Sequence, residues 1–256
     1  MLLRDRVFFI TGASRGAGAA LARAVAREGA AVGVNYLERA EAARGVVEGI
    51  EAEGGRALAL RADVTDEAAV RQAVDTLAEH FGRLDGVVNN ALPAYAFDPA
   101  ASYVRLETLD WADVARQVEG AVRGTIHTVR AALPHFRARG YGKVLNVSSN
   151  LVYHPVVTYH DYTAAKAALV GLTRTLAAEL GPEGVRVNLV AGGLLETTDA
   201  SAMTTPEVFA YVAGATPLRK TVTPDEFAQA ALFFLSPLSD AVTGQSLSVD
   251  GGLTMP

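Results

Sequence analysis

The chain has 256 residues, 50% of them hydrophobic, and a formal net charge of −5 at pH 7. These values indicate one α/β domain with a sizeable core and argue against nucleic acid as the main partner. Because cysteine is absent, disulfides, thiolate catalysis and zinc–cysteine sites are excluded, and the five histidines show no metal-binding spacing, so we expect no metal. No apolar run reaches the roughly eighteen residues of a membrane span, and the N-terminus leaves no room for a signal peptide. We therefore predict a cytoplasmic protein.

Short, continuously apolar segments alternate with helical stretches along the whole chain. The predicted strands are Val7–Ile10, Ala31–Val34, Ala57–Leu60, Gly86–Val88, Val144–Val147, Val185–Val190 and Leu247–Val249. The predicted helices are Ala19–Glu28, Arg39–Glu53, Asp66–Phe81, Asp110–Leu133, Tyr162–Leu180 and Pro224–Leu235. Such strands are typical of parallel sheets buried on both faces, and the alternation predicts a doubly wound α/β fold with a parallel, seven-stranded sheet. No linker or repeat divides the chain, so residues 1–256 are predicted to form a single domain.

A glycine-rich turn follows the first predicted strand. The segment Thr11–Gly18 reads TGASRGAG and leads into an alanine- and leucine-rich helical stretch. Strand, glycine turn and helix is the context of a dinucleotide-binding Rossmann fold, in which Gly12 permits the tight turn and Gly16 lets the backbone approach a pyrophosphate. Gly18 lets helix and strand pack closely, and the helix N-terminus offers N–H groups to phosphate. The alternative is a glycine-rich turn without a ligand.

Tyr162, Lys166 and Ser149 form the second chemical signal. Tyr162 and Lys166 stand four residues apart in a helical run, so their side chains share one helix face. A cation beside the phenol favours the phenolate and lowers the tyrosine pKa from about 10. Ser149 precedes Tyr162 by thirteen residues and ends a predicted strand. The three groups are suited to proton transfer at a carbonyl or alcohol, whereas neighbouring Ser148 is interpreted as part of the strand end.

The polar motifs share one location, because each falls where a predicted strand ends. They are Thr11–Gly18, Asn35-Tyr36, Asp63, Asn89–Leu92, Ser148-Ser149 and Gly192–Thr197. Ligands of open α/β sheets bind at the carboxyl ends of the strands, so these motifs predict a single site.

Together these motifs resemble the short-chain dehydrogenase/reductase family over essentially the whole chain, most of all its 3-oxoacyl-acyl-carrier-protein reductase branch. Further matches follow in the family's order and comprise Asp63-Val64, Asn89–Ala91, Asn146–Ser149, Tyr162–Lys166, Val187-Asn188 and Val249–Gly252. The resemblance implies Ser149, Tyr162 and Lys166 as catalytic residues. Tyr162 would give a proton to the developing alkoxide, Lys166 would lower its pKa and bind the nicotinamide ribose, and Ser149 would donate to the substrate oxygen.

The resemblance also implies a nucleotide site and its cofactor. The implied cofactor-binding residues are Gly12, Ser14, Arg15, Gly16, Ala17, Gly18, Asn35, Tyr36, Asp63, Val64, Asn90, Ala91, Tyr162, Lys166, Leu195 and Thr197. Tyr36 stands where an NAD-dependent relative would carry an acid, and Arg15 stands where relatives place a basic residue against a 2′-phosphate. NADP(H) is therefore the predicted cofactor. Asp63 would accept a hydrogen bond from adenine, and Leu195 and Thr197 would contact the nicotinamide carboxamide.

Three positions depart from the family pattern. Val118 stands in place of an asparagine that helps to hold a relay water, Leu92 replaces a glycine beside the cofactor, and Gly192 replaces a proline after the sixth strand. These departures indicate a modified relay, a repacked site or a loss of activity.

Three functions remain open at this stage. The first is NADPH-dependent reduction of a ketone, such as a 3-oxoacyl thioester of fatty acid biosynthesis. The second is oxidation of a sugar, steroid or secondary alcohol, and the third is a nucleotide-binding scaffold or sensor without catalysis. Residues 198–221 are the predicted substrate lid, and the loop Leu92–Arg105, with Tyr95 and Phe97, is the predicted opposite wall. The basic candidates for contacting an acidic carrier protein are Arg130, Arg137, Arg139 and Arg174.

The predicted helix Tyr162–Leu180 is apolar nearly all round after Lys166. A helix of this pattern is buried on more than one side, so we predict that another subunit covers it, with burial inside the monomer as the alternative. The resemblance implies a homotetramer formed through helices 110–133 and 162–180 and the C-terminal segment.

Overall fold

The computed structural model describes residues 1–93, 105–196, 198 and 201–255. Within these residues, seven parallel strands form one sheet in the order β3-β2-β1-β4-β5-β6-β7. The strands are β1 (Val7–Ile10), β2 (Ala31–Tyr36), β3 (Arg56–Arg61), β4 (Gly86–Asn89), β5 (Gly142–Ser149), β6 (Val185–Gly192) and β7 (Ser246–Val249). The order reverses between β1 and β4, which is the point where doubly wound folds bind ligands. The predicted doubly wound Rossmann fold is confirmed.

Helices cover both faces of the sheet. They are α1 (Gly16–Arg27), α2 (Ala40–Ala52), α3 (Glu67–Phe81), α4 (Trp111–Val118), α5 (Gly124–Arg139), α6 (His160–Leu180), α7 (Pro206–Ala215) and α8 (Pro224–Leu235). Helices α1, α2 and α8 pack on one face, and α3, α5 and α6 pack on the other. None of the helices within the described residues combines the length and apolarity needed to span a membrane.

Two of the predicted helix starts are formed by side-chain caps. The Asp66 carboxylate accepts hydrogen bonds from the N–H groups of Ala68 and Ala69, at 2.9 and 3.1 Å, at the start of α3. Thr223 and Glu226 form a capping box at the start of α8. Such caps satisfy N–H groups that have no partner inside the helix, which explains why the sequence located both starts within one residue.

Two helical regions differ from the prediction. The stretch expected to be one helix over Asp110–Leu133 consists of α4, a π-helical segment at Glu119–Arg123, and α5. Helix α7 lies inside the predicted lid and was not predicted. All ten residues of α7 are described, and none of them is buried. Because no face of α7 packs into the core, its sequence does not need the periodic apolar residues from which a helix is predicted.

The outward face of α6 is not buried inside the monomer, which was the alternative to coverage by another subunit. In the single chain this face is exposed and consists of small residues, namely Ala164, Ala168, Gly171, Thr175 and Ala178. The opposite face is buried against the sheet. The apolar composition of α6 therefore reflects one buried face and one exposed, nearly flat face.

Candidate active site

The glycine turn between β1 and α1 requires glycine at three positions. Gly12 and Gly16 have φ angles of +60° and +53°, in the left-handed region that side chains disfavour. A Cβ atom on Gly18 would lie 2.4 Å from the Gly12 carbonyl oxygen and 2.6 Å from Nδ2 of Asn90. The turn can therefore pack against α1 and the end of β4 only because these side chains are missing.

Asn35, at the end of β2, holds the glycine turn in place through hydrogen bonds. Its Oδ1 accepts a hydrogen bond from the Gly12 N–H at 3.1 Å, and its backbone oxygen accepts one from the Ala13 N–H at 2.8 Å. Its Nδ2 donates to the carbonyls of Leu60 and Ala62 at the end of β3. The side chain is 2% exposed. Asn35 was predicted to bind the cofactor, but the structure gives its amide a supporting position inside the protein.

Asn90 and Thr11 join the turn to the end of β4. Nδ2 of Asn90 donates to the carbonyls of Thr11 and Gly12, at 3.0 and 3.2 Å. The Thr11 hydroxyl accepts hydrogen bonds from the N–H groups of Asn90 and Ala91, at 2.9 and 3.0 Å. Thr11 was not predicted as a site residue, although its position in the motif TGASRGAG offered a signal. These bonds hold Asn90 and Ala91 beside the glycine turn.

The N-terminus of α1 is suited to an anion. Its N-cap residue, Arg15, makes no capping hydrogen bond with its side chain, and its first turn, which is fully described, contains no acid. Helices α3 and α8, in contrast, are capped by their own side chains. The N–H groups of the first turn of α1 thus keep their affinity for negative charge, and Ser14, Arg15 and Ala17 lie half-buried around them. This arrangement fits the pyrophosphate of a dinucleotide.

Arg61, at the end of β3, places a positive charge beside the end of β2, in addition to that of Arg15. Tyr36 ends β2 half-buried, and it pairs in register with Arg61 of β3. Nε of Arg61 donates to the Leu37 carbonyl at 3.1 Å, which holds the guanidinium beside the chain that follows Tyr36. Sequence reasoning missed Arg61 because only the strand register shows that it neighbours Tyr36.

Asp63 and Val64 follow β3 and have local partners. One carboxylate oxygen of Asp63 accepts hydrogen bonds from the N–H and the hydroxyl of Thr65, both at 2.8 Å. The Val64 carbonyl is 3.0 Å from Nδ1 of His127, and a Cβ on Gly124 would lie 2.9 Å from Cγ2 of Val64. Both predicted residues therefore lie at the carboxyl edge, fixed by the turn and by the start of α5.

The structure brings Ser149, Tyr162 and Lys166 together at the end of β5. All three are buried, with 5%, 8% and 4% of their surfaces exposed. The side chains of Tyr162 and Ser149 are hydrogen-bonded to each other. Nζ of Lys166 donates to the Val147 carbonyl at 2.7 Å and lies 5.8 Å from the centre of the Tyr162 ring. The Ser148 hydroxyl donates to the Lys166 carbonyl at 2.9 Å and so joins β5 to α6.

Burial dominates the electrostatics of this cluster. It raises the pKa of Tyr162 to about 12, against the opposing effect of the hydrogen bond with Ser149. It also lowers the pKa of Lys166 to about 8. Both shifts have the same origin, since burial penalises whichever form is charged. The expected lowering of the tyrosine pKa by the lysine is not seen in the protein alone, where burial and the hydrogen bond with Ser149 are the causes of the shift, and Tyr162 carries its proton at neutral pH.

Two of the departures from the family pattern lie beside this cluster. Leu92 packs against the buried group formed by Leu151, Tyr159 and Tyr162, so it adds to the burial of the tyrosine. Val118 packs against the apolar group that includes Ala165 next to Lys166. The residues that replace glycine and asparagine therefore make this wall of the site apolar.

Gln117, which precedes Val118, was not singled out in the sequence. It is fully buried, and neither Nε2 nor Oε1 of its amide has a hydrogen-bond partner in the described part of the chain. An unpaired buried amide costs about 1–3 kcal/mol. Only the structure reveals it, because a glutamine beside a valine in a helix has no distinctive pattern.

The base of the predicted lid is held near the glycine turn. Leu195 and Val222 form a parallel β-bridge, which joins the two ends of the segment. A Cβ on Gly16 would lie 3.7 Å from Cβ of Thr198, so the first lid residue contacts the turn region. Thr197 lies outside the described residues, as do Tyr95 and Phe97 of the predicted opposite wall.

Comparison with known proteins extends these observations. A family model described as enoyl-(acyl carrier protein) reductase matches residues 12–254. A cis-4-hydroxycyclohexanecarboxylate dehydrogenase of Sinomonas cyclohexanicum is 38% identical, with 98% of this chain and 97% of the relative covered. A 3-oxoacyl-[acyl-carrier-protein] reductase of Synechocystis sp. is 33% identical, with 99% of this chain and 98% of the relative covered. A solved short-chain dehydrogenase of Burkholderia cenocepacia, in complex with NADP, has a TM-score of 0.86 and 35% identity, with 99% of both chains covered.

These relatives match the chain over nearly its full length, while their names give different substrates. The chain belongs to the short-chain dehydrogenase/reductase family of oxidoreductases.

Proposed function

We propose that this protein is an NADPH-dependent oxidoreductase that reduces a ketone on a small molecule. The observation that supports this most is the buried cluster of Ser149, Tyr162 and Lys166, because it lies on the same sheet edge as an uncapped helix N-terminus suited to pyrophosphate. The intact cluster argues against a scaffold or sensor that has lost catalysis.

Positive charge around the end of β2 supports NADPH over NADH. Tyr36 ends the strand where an acid would otherwise repel a 2′-phosphate. Arg61 is the register partner of Tyr36, Arg15 precedes α1, and Arg39 is the N-cap of α2. The only acid between Tyr36 and Arg39 is the exposed Glu38. The similar Burkholderia protein, whose solved structure contains NADP, agrees with this assignment.

The proposed reaction divides the work between the cofactor and the protein. The bound nicotinamide would supply the hydride for the carbonyl carbon. Tyr162, which is protonated at neutral pH, gives its hydroxyl proton to the developing alkoxide, and its raised pKa means that the phenolate left behind needs stabilisation. Ser149 donates a hydrogen bond to the same oxygen and fixes its position. The Lys166 ammonium stabilises the negative charge that develops on Tyr162 as the proton leaves.

The arginines considered for docking an acidic carrier protein lie in clusters of mixed charge. Three arginines that were candidates for docking an acidic carrier have carboxylates nearby. Arg130 pairs with Glu67 at 3.0 Å, and Arg137 pairs with Glu183 at 2.6 Å. Arg139 lies 4.0 Å from a buried aspartate, Asp85. Glu67 also pairs with Arg71 at 3.4 Å, and Asp85 is paired more closely with Arg6 and Arg83. Positive charge therefore remains around Arg130 and Arg139, and we propose a free cyclic ketone or a 3-oxoacyl thioester as the substrate.

The proposed oligomer is a homotetramer in which the outward face of α6 packs against a second copy. Ala164, Ala168, Gly171, Thr175 and Ala178 form a face without bulky side chains, which permits close helix packing. Trp111 at the start of α4 is 75% exposed, as expected of an aromatic residue that a second copy covers.

Exchange of Tyr36 for aspartate tests the cofactor assignment. In Tyr36→Asp the new carboxylate lies near the 2′-phosphate, and like charges in such a position cost several kcal/mol, so NADPH affinity should fall at least about tenfold relative to NADH. Tyr36→Asn is the matched control, because asparagine has the size of aspartate but carries no charge. Both dissociation constants are measured by titration calorimetry. Equal affinity of the unaltered protein for the two cofactors would contradict the assignment.

Removal of the Tyr162 hydroxyl tests the function itself. Tyr162→Phe keeps the ring but loses the proton, so ketone reduction should fall by roughly 10²- to 10⁴-fold, while NADPH affinity stays close to that of the unaltered protein. The measurement is NADPH consumption with a panel of ketones. Reduction that survives in Tyr162→Phe would show that another group gives the proton, and an unaltered protein that binds NADPH but reduces nothing would favour a sensor.

The pKa of Lys166 predicts a pH dependence. Lys166, with a pKa of about 8, is charged below that pH and becomes neutral above it, whereas Tyr162, with a pKa of about 12, keeps its proton throughout this range. The kcat/KM for ketone reduction should therefore fall as the pH rises above about 8. In Lys166→Arg the side chain stays charged, so the fall should disappear whatever the absolute rate. An identical fall in both proteins would assign it to another group.

A charge on the outward face of α6 tests the oligomer. Ala168→Glu places a carboxylate at the centre of the proposed interface, where it would be buried unpaired, so the protein should dissociate into smaller species. Thr76→Glu, at an exposed position of α3, is the control. Sedimentation velocity gives the masses. A protein that is monomeric without substitution would refute the proposed assembly.

A further inference from the structure

A buried hydrogen bond links the C-terminal turn of the chain to the residue after Ser149. Nδ2 of Asn150 donates to one carboxylate oxygen of Asp250 at 3.0 Å. The other carboxylate oxygen accepts from the Gly252 N–H at 3.1 Å. Asn150 and Asp250 are 4% and 5% exposed, so both are removed from water and depend on these partners.

The bond crosses the end of β6 at a position that only glycine permits. A Cβ on Gly193 would lie 2.6 Å from Cβ of Asp250 and 3.5 Å from Nδ2 of Asn150. The Gly193 N–H also donates to the Val249 carbonyl at 3.2 Å. Glycine at 193 thus lets the ends of β5 and β7 approach each other across β6.

On one side, the bond anchors the short turn that carries Ser149. The Ser149 hydroxyl oxygen accepts a hydrogen bond from the Leu151 N–H at 3.2 Å. The Asn150 carbonyl accepts bonds from the N–H groups of Tyr153 and His154, both at 2.9 Å. The side chain of Asn150 is therefore the connection between this compact turn and the C-terminal segment. Displacing the turn would displace the hydroxyl that bonds Tyr162.

On the other side, the same C-terminal turn holds the end of the segment that contains α7. The Leu218 N–H donates to the Gly251 carbonyl at 3.1 Å. A Cβ on Gly251 would lie 3.1 Å from the Lys220 carbonyl, and a Cβ on Gly252 would lie 3.1 Å from Cγ of Pro217. The segment after α7 thus packs directly on the backbone of the turn.

We propose that Asn150 and Asp250 are positioning residues, which fix the Ser149 hydroxyl against Tyr162 and join it to the segment after α7. This proposal rests on the proposed function, because it assumes that Ser149 contacts the substrate oxygen. A buried carboxylate needs several kcal/mol of compensation from its partners, whereas an apolar residue would fill the same space without that cost. The presence of the Asp250 carboxylate beside the turn that carries Ser149 is explained if its bond with Asn150 sets the direction of the serine hydroxyl.

A double-mutant cycle on Asn150 and Asp250 tests the proposal. Asn150→Ala and Asp250→Ala should each lower kcat for an accepted ketone roughly ten- to hundredfold, because misplacement of a catalytic group has costs of this size. The double variant should be no slower than the slower single variant, since both changes break one bond. Asp250→Asn keeps an oxygen that can accept from Asn150 and should recover part of the rate. The NADPH dissociation constant should stay unchanged in all of them.

Asn188, in the middle of β6 and close to the start of β7, offers a matched control. It is 1% exposed, its Nδ2 donates to the Val242 carbonyl at 2.9 Å, and its Oδ1 accepts from the Gln245 N–H at 3.0 Å. Asn188→Ala removes an equally buried amide, so it should lower the melting temperature without lowering kcat. If Asn150→Ala and Asp250→Ala behave like Asn188→Ala, or if their effects on kcat add, the two residues are structural and the proposal fails.

A spectroscopic measurement separates this proposal from the proposed function. With 13C at Cζ of tyrosine, the NMR signal of Tyr162, assigned by its loss in Tyr162→Phe, reports the hydrogen bond with Ser149 without any turnover. The signal should shift in Asn150→Ala and Asp250→Ala and stay in place in Asn188→Ala. An unaltered protein that reduces no ketone would refute the proposed function, while an unshifted signal in both variants would refute the positioning role.

Discussion

The close contact between the glycine turn and α1 is the constraint on which the site depends. At Gly18 the helix approaches the Gly12 carbonyl so closely that a single Cβ atom would lie 2.4 Å from it. The amide of Asn90 uses this proximity, since it reaches the carbonyls of both Thr11 and Gly12. The start of α1, the end of β1 and the end of β4 are therefore fixed relative to one another before any ligand binds. A helix N-terminus aimed in this way needs no rearrangement to receive an anion.

Burial shifts the pKa values of Tyr162 and Lys166 in opposite directions. It keeps the proton on Tyr162 and weakens the hold of Lys166 on its own proton. In the protein alone Tyr162 is therefore protonated at neutral pH, and loss of its proton would leave a phenolate that the Lys166 ammonium can stabilise. The charge on Lys166 is retained only while the pH stays below about 8. The rate of the proposed reaction should accordingly depend on the lysine more than on the pKa of the proton donor itself.

Local patterns were sufficient to predict the sheet and several helix starts. The parallel strands are continuous apolar runs, and Asp66 and Thr223 cap helices that follow polar turns, so both signals are contained in a few neighbouring residues. The proximity of Ser149, Tyr162 and Lys166 was also predictable, because their spacing reflects one helix turn and one strand end. The features that the sequence did not reveal depend on tertiary contacts. Arg61 became relevant through strand register and Asn35 through burial beneath the turn, while α7 buries no face that could produce a pattern.

The departures from the family pattern act on different parts of the site. Leu92 packs against the group that includes Tyr162, and Val118 packs against the group that includes Ala165, so both add apolar surface to this part of the site. Gly192 faces Phe227 of α8, where a Cβ would lie 3.2 Å from the ring, and this close contact favours glycine there. None of the three changes removes a group that bonds substrate or cofactor in the proposed reaction. They alter the surroundings of Ser149, Tyr162 and Lys166 and leave the three side chains in place, and function within one fold depends on such details of the site.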